Sequence, residues 1–259
     1  MAKRRAPGTE DESSMSALGL LVLLILAAWF ALGYELQTLI AFEVHHWASA
    51  NPQLNVTPQP ATAGAAPTAA TGPRIEHYNY QFNLAWKDQP AHDDATPDYA
   101  VVQAKTGQVV IFYNPDEEID ILAGMKAGNT ALSRGYNTIF ADHLFDSNYS
   151  LYAAVYSADP TQAHPWMPRA DALRIDSLLI DKLSFGIEAP GPTYLFNWGG
   201  LRGIRFGDAA HGGPVAFHAF DNHDRQFRFV FTTRADTPTP VILNEAEIEQ
   251  VVQSVRTAY

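Results

Sequence analysis

The densest set of side chains able to do chemistry is the run His218-Ala219-Phe220-Asp221-Asn222-His223-Asp224. Two imidazoles and two carboxylates, those of His218, Asp221, His223 and Asp224, form a donor set that suits zinc or manganese. The same Asp-Asn-His-Asp run is what an exposed hairpin turn uses to satisfy its own backbone. His218 falls inside the preceding strand pattern and the other three fall in the turn, so turn chemistry accounts for them without an ion.

Three further constellations carry weaker chemistry. His211-Gly212-Gly213-Pro214 has the look of an esterase oxyanion loop, but that reaction needs a G-x-S-x-G elbow to present the serine, and the chain has none. No P-loop, G-x-G-x-x-G or H-E-x-x-H motif occurs either. His45 and His46, just beyond a long apolar run, could ligate a pigment or haem or respond to pH. A lone interfacial His pair is more often a solvated helix end. Asp116, Glu117, Glu118 and Asp120 could attract a cation, though acids in a first helical turn are explained by the helix dipole. Asn55-Val56-Thr57 and Asn148-Tyr149-Ser150 fit the glycosylation sequon. The chain has no cysteine, which removes disulfides, zinc–thiolate sites, iron–sulfur clusters and thiol catalysis. The residues imply no cofactor and no enzyme activity.

The elements that must position these groups begin with Ala17–Tyr34, an 18-residue stretch without a charge. At about 1.5 Å per residue it spans roughly 27 Å, close to the hydrocarbon thickness of a bilayer. Trp29 and Tyr34 stand toward its far end, where amphipathic rings favour the interface. Lys3, Arg4 and Arg5 precede it and no Lys or Arg follows until Arg74, so the positive-inside rule places the N-terminus in the cytoplasm. A cleaved signal peptide shares the basic start and apolar run. Against it stand the length of the run, Glu10, Asp11 and Glu12 ahead of it, and a small-residue pattern, Ala48-Ser49-Ala50, far beyond it.

The expected organisation is a cytoplasmic leader over 1–15, a single transmembrane helix with a juxtamembrane extension over 16–48, a flexible linker over 49–73, and an extracytoplasmic domain over 74–259. Leu36, Leu39, Ile40 and Phe42 suggest that the helix continues past the bilayer toward Trp47. Ser49–Pro73 contains no charge and five prolines among many Ala and Thr, the composition of a tether.

From Arg74 onward the chain holds 14 Lys+Arg and 23 Asp+Glu, a balance of 14 − 23 = −9. An acidic domain repels phosphate backbones, so nucleic acid is excluded as a partner. Tyr78–Trp86 alternates with period two and reads as one strand; Tyr99–Ala104 and Gln108–Tyr113 read as a hairpin about Lys105-Thr106-Gly107. Asn114-Pro115 opens an expected helix to Arg134. Tyr149–Ser157 alternates as a further strand, and Asp171 caps an expected helix to Leu183 with Ile175, Leu178 and Leu179 inward. Thr193–Trp198 and Leu201–Phe206 are strands around Gly199-Gly200. Val215–Phe220 and Gln226–Thr233 form a hairpin, with Phe227, Phe229 and Phe231 on one face. Asn244 and Glu247 make a capping box ahead of Ile248, Val251, Val252 and Val255, one face of a terminal helix. The sum is an α+β fold, an antiparallel sheet covered by helices.

The strand meander over residues 195–259, its tight hairpin and the final helix IEQVVQSVRTAY resemble the C-terminal half of PsbP/Mog1-like domains. That resemblance implies antiparallel sheets sandwiched by helices and an accessory or binding role without a shared enzyme activity. The expected function is a single-pass membrane-anchored accessory or interaction protein, a subunit of or partner to a membrane complex. A bacterial inner membrane with the acidic domain in the periplasm is the expected location. The alternative is a tethered ligand- or metal-binding domain using the 218–224 turn.

Overall fold

The computed structural model describes residues 11–60, 66–86, 90–93, 96–113, 147–211, 213–238, 240 and 243–257. The expected helix over 114–134, with Asp116, Glu117, Glu118 and Asp120, lies outside them. Helix α1 (Asp11–Ala31) carries the apolar run, and helix α2 (Glu35–Ala50) follows after a three-residue break. Gly33 at φ +75 lets the chain turn there, and the two axes meet at 96°. The run therefore does not continue as one straight rod toward Trp47. Among the described residues no single helix is long and apolar enough to cross a membrane; Ala17–Ala31 and Glu35–Ala50 reach that measure only as a bent pair.

The domain is α+β, built on a mixed sheet. Its strands are β1 (Gln59–Pro60), β4 (Ala91–Asp93), β5 (Tyr99–Gln103), β6 (Gln108–Tyr113), β7 (Thr193–Asn197), β8 (Arg202–Phe206), β9 (Val215–Phe220) and β10 (Gln226–Thr233), in the order β1-β7-β8-β9-β10-β6-β5-β4. Seven of these pair antiparallel, and the two-residue β1 adds a parallel edge beside β7. A second, three-stranded sheet joins β2 (Arg74–His77), β3 (Tyr80–Asn83) and β11 (Arg256–Thr257). The expected strand over 78–86 is thus the second arm of a hairpin. Tyr78, at φ +50, occupies the tight turn between β2 and β3, while Tyr80, Phe82 and Leu84 go inward as the alternation requires.

Helices α3 (Asn148–Ser157) and α5 (Glu245–Gln253) pack on the sheets, and α4 (Arg169–Phe185) packs on α3. The segment expected as a strand at Tyr149–Ser157 is α3. Ser147 and Ser150 form a reciprocal capping box, and Leu151, Tyr152, Val155 and Tyr156 are buried at helical spacing. Its aromatic and β-branched content imitates a strand, but the cap and the burial period decide for helix. Helix α4 opens after Pro168, with Asp171 inside its first turn rather than capping it. Ile175, Leu178 and Leu179 are buried as expected. The 99–113 and 215–233 hairpins, the 193–206 pair and the capped α5 stand where the sequence places them.

One face of the sheet carries Val110, Phe112, Phe217, Phe227, Phe229 and Phe231, packed against Tyr80, Phe82 and the Ile248–Val255 face of α5. The other face carries Ile204, Phe206, Ala216 and Phe220 against Tyr152 and Tyr156 of α3. A third cluster lies beyond: Ile40, Ala41 and Val44 of α2 pack on Leu151, Val155, Ile175 and Leu179 of α3 and α4. Helix α2 is therefore an outer layer of the folded unit.

Much of the expected tether is also packed. Leu54, in a short helix Pro52–Asn55, is fully buried. Ala70 N donates to Gln250 O at 2.9 Å and Gly72 N to Leu84 O at 3.0 Å. An uncharged, proline-rich segment satisfies its backbone here by lying along β3 and α5 instead of in water.

Candidate functional site

The β9–β10 hairpin end and the β7–β8 turn, with the chain after α5, surround an open cavity of ≈ 410 Å³. Trp198, Gly200, His223, Arg225, Gln253 and Arg256 line it. Gly199, at φ +75, makes the β7–β8 turn that brings Trp198 against Phe196 at 4.2 Å between ring centroids.

The four residues offered as metal ligands take four directions. Asp221 holds its own turn: Oδ1 accepts from His223 N at 2.8 Å and Arg225 N at 3.0 Å, and Oδ2 accepts from the Arg225 guanidinium at 2.8 and 2.5 Å. Asp224, at φ +61, turns away toward α3, where its carboxylate accepts from Asn148 N at 2.5 Å and Tyr149 N at 3.2 Å. A carboxylate at those amides complements the positive end of the α3 dipole. His223 stays at the cavity rim, exposed. Among the described residues no group of three or more His, Cys, Asp or Glu is placed to hold a metal ion.

His218 points to the opposite side, beneath α3, and is buried. Strand alternation puts it on the face of Ala216 and Phe220. Gln226 Nε2 lies 3.1 Å from its Nδ1, and since that amide nitrogen donates, the ring proton sits on Nε2. Nε2 faces Glu188 Oε1 at 3.5 Å, and Glu188 Oε2 accepts from Arg228 at 2.6 Å. Burial holds His218 below the usual imidazole range, helped by Arg228 and opposed by Glu188. Burial pushes the Glu188 carboxyl up, but His218 and Arg228 together outweigh it and leave it below the usual range. The trio is a charged pair with a neutral imidazole, and Arg228 also stacks over Tyr113 at 4.4 Å.

A second buried ion lies between the helical layers. Lys182 of α4, 1% exposed, donates from Nζ to Ala158 O at 2.7 Å and Leu54 O at 3.1 Å. Burial pushes the ammonium down to about 8, against the opposing pull of Asp159. Its signal in sequence is its place beside Leu178 and Leu179 on the apolar stripe of α4. Glu188 and Arg228 carry no such signal, because the turn after α4 brings the carboxylate to the sheet.

His45 and His46 part company. Both are exposed, but His45 Nε2 donates to Ala163 O at 2.9 Å. His211 ends a short helix Ala209–His211, and the glycine after it lies outside the described residues. The amide of Asn55, the first sequon, donates to Ala48 O at 3.2 Å.

At the other end of the molecule, α1 stands clear of the domain. Leu18, Leu21, Leu23 and Leu24 are 54–66% exposed, on all sides of the helix. Its last turn is tied down: Trp29 Nε1 donates to Thr38 Oγ1 at 3.0 Å, and the Trp29 ring meets Trp166 edge-on at 4.0 Å and Tyr34 at 5.1 Å. No spacing rule links Trp29 to Trp166, which a proline-rich loop delivers. In comparisons with known proteins, the chain matches no family model, no curated protein and no solved structure.

Proposed function

We propose that the chain is a single-pass, membrane-anchored accessory protein whose acidic α+β domain binds a protein partner in a membrane complex. The observation that carries the reading is the stretch Ala17–Ala28 of α1, apolar and exposed on every side, which has no stable place in water. Lipid removes that cost. Ala17–Ala31 by itself is short for a span, but the 21 residues of α1 rise about 31 Å, close to the hydrocarbon thickness of a bilayer. Lys3, Arg4 and Arg5 ahead of it orient the N-terminus to the cytoplasm and the domain outside, in a bacterial inner membrane with the domain periplasmic. The accessory role rests on the absence of catalytic motifs in the sequence and on the resemblance of residues 195–259 to PsbP/Mog1-like domains, a likeness of element order that bears on fold more than on function.

The cavity at the 221–225 turn supports a second reading, a tethered domain that binds a small ligand. Its rim joins the Trp198 ring to the imidazole of His223 and the guanidinium of Arg256. The divergence of His218, Asp221 and Asp224 weighs against metal as that ligand.

The test is purification in mild detergent from the native membrane, full-length chain beside a chain lacking residues 1–34. That cut spares α2, which belongs to the packed unit. A defined complex retained by the full-length chain supports the accessory reading. If the chain washes out of membranes at high pH the anchor fails, and if it stays but emerges without a partner the accessory role fails.

A further inference from the structure

We propose that the outward face of α2, with Trp166 beside it, is a membrane seat: the domain rests on the outer surface of the bilayer that α1 crosses. The proposal rests on the anchor reading and adds the orientation and height of the domain.

Four observations carry it. First, the elbow is braced. Leu32 N donates to Ala28 O at 2.9 Å, Trp29 bonds to Thr38, and Thr38 Oγ1 in turn donates to Tyr34 O at 2.8 Å. The 96° angle is thus held by side chains from both helices and from the domain loop at Trp166. A helix crossing the bilayer near its normal then lays α2 close to the membrane plane.

Second, the α2 residue that holds α1 lies beside the exposed face of α2. Residues of a helix advance by about 100° each, so Thr38, the partner of Trp29, shares a face with Phe42, one turn on. Ile40, Ala41 and Val44, buried on α3 and α4, lie on the other side.

Third, the exposed apolar side chains gather there. Outside α1 the described residues expose six large hydrophobic side chains, and four of them, Leu32, Leu39, Phe42 and Trp166, lie at the elbow, on α2 or against Trp29. Leu39 is 64% and Phe42 77% exposed, values that water alone does not favour in an otherwise well-covered domain.

Fourth, charge defines the kind of surface. Residues 6–73 contain no Lys or Arg, while Glu35 and Glu43 belong to α2. Attraction to anionic headgroups cannot seat this helix, so insertion of Leu39, Phe42 and Trp166 must do it. The fitting partner is a zwitterionic or neutral lipid surface, with these side chains at the headgroup–acyl boundary, on the order of 5–10 Å deep.

The absence of cysteine allows a direct test on the full chain. Single cysteines at Leu24, Leu39, Phe42 and Asn222 are spin-labelled, and the protein is reconstituted in phosphatidylcholine bilayers. Collision with oxygen, which favours lipid, is compared with collision with a water-soluble nickel chelate. Expected is label 24 in hydrocarbon, labels 39 and 42 at the boundary, and label 222 in water, unchanged when anionic lipid is added. Labels 39 and 42 as wet as label 222, with label 24 still in hydrocarbon, would overturn the seat and leave the anchor standing. Labels 39 and 42 shielded from both reagents would overturn it in favour of a protein cover, and a wet label 24 would remove anchor and seat together.

Discussion

Lys182 permits a quantitative prediction. Its ammonium is 1% exposed, bonded to the Leu54 and Ala158 carbonyls, and pushed down from 10.5 to about 8. Below pH 8 the group is charged in both folded and unfolded chains, and the folded state bears the whole cost of burying it. Between 8 and 10.5 the unfolded chain binds the extra proton, so stability rises with pH; above 10.5 both forms are neutral. The gap corresponds to about 3 kcal/mol at about 1.4 kcal/mol per pH unit. The perturbation is Lys182→Met, which removes the titration at similar chain length. Urea unfolding of both proteins in mild detergent, followed by tryptophan fluorescence at pH 7.5, 9 and 10.5, measures the effect. Other alkaline titrations are common to both and cancel in the difference. The native chain should gain about 3 kcal/mol relative to the variant across that range. A difference that does not change with pH would refute the reasoning and mean that Lys182 reaches water.

Three other outcomes follow from the packing. Leu54→Ala should cost about 2–4 kcal/mol in the same assay, since Leu54 is fully buried; a loose tether at 49–60 would leave the midpoint unchanged. Acid should weaken the domain through His218 and Glu188. The unfolded imidazole takes up its proton near 6.5 and the buried one only at lower pH, so stability falls as pH drops below about 6.5. The Glu188 contribution, present above 4.5, is lost as pH falls further through its lower folded value. His218→Gln should flatten the upper part of that slope, as unfolding midpoints at pH 7, 6 and 5 would reveal. Gly203→Ala should remove roughly 3 kcal/mol or more, because a Cβ there runs into the His218 carbonyl and comes within 2.9 Å of Ala219 Cα; protease resistance of the expressed protein reads this out.

Where local physics decides, the sequence was legible. The capping box at Asn244 and Glu247, the i, i+3, i+4, i+7 stripe behind it and the Phe227-Phe229-Phe231 alternation each state their structure without help from the rest of the chain. Tyr149–Ser157 misled because its Tyr and Val content suits a strand, while the Ser147–Ser150 box that makes it a helix uses residues common in loops. At the hairpin, residue type predicted a ligand set but not direction. Asp224 in the left-handed region sends its carboxylate to α3, and His218 lies across the sheet from the cavity.

Composition and order alone determined the α+β class, the hairpins, the capped terminal helix, the exclusion of thiol chemistry and the apolar run over 17–34. Tertiary structure decided that α2 is a layer of the domain, that the chain turns through 96° at Gly33, and that Trp29 meets Trp166. It also decided that Glu188, His218 and Arg228 share one site. The division has a physical cause. Caps, turns and periodicity are set by contacts between residues a few positions apart, which a sequence displays. Ion partners and the neighbours of an exposed face depend on segments from tens to more than a hundred residues apart, brought together only when the layers pack.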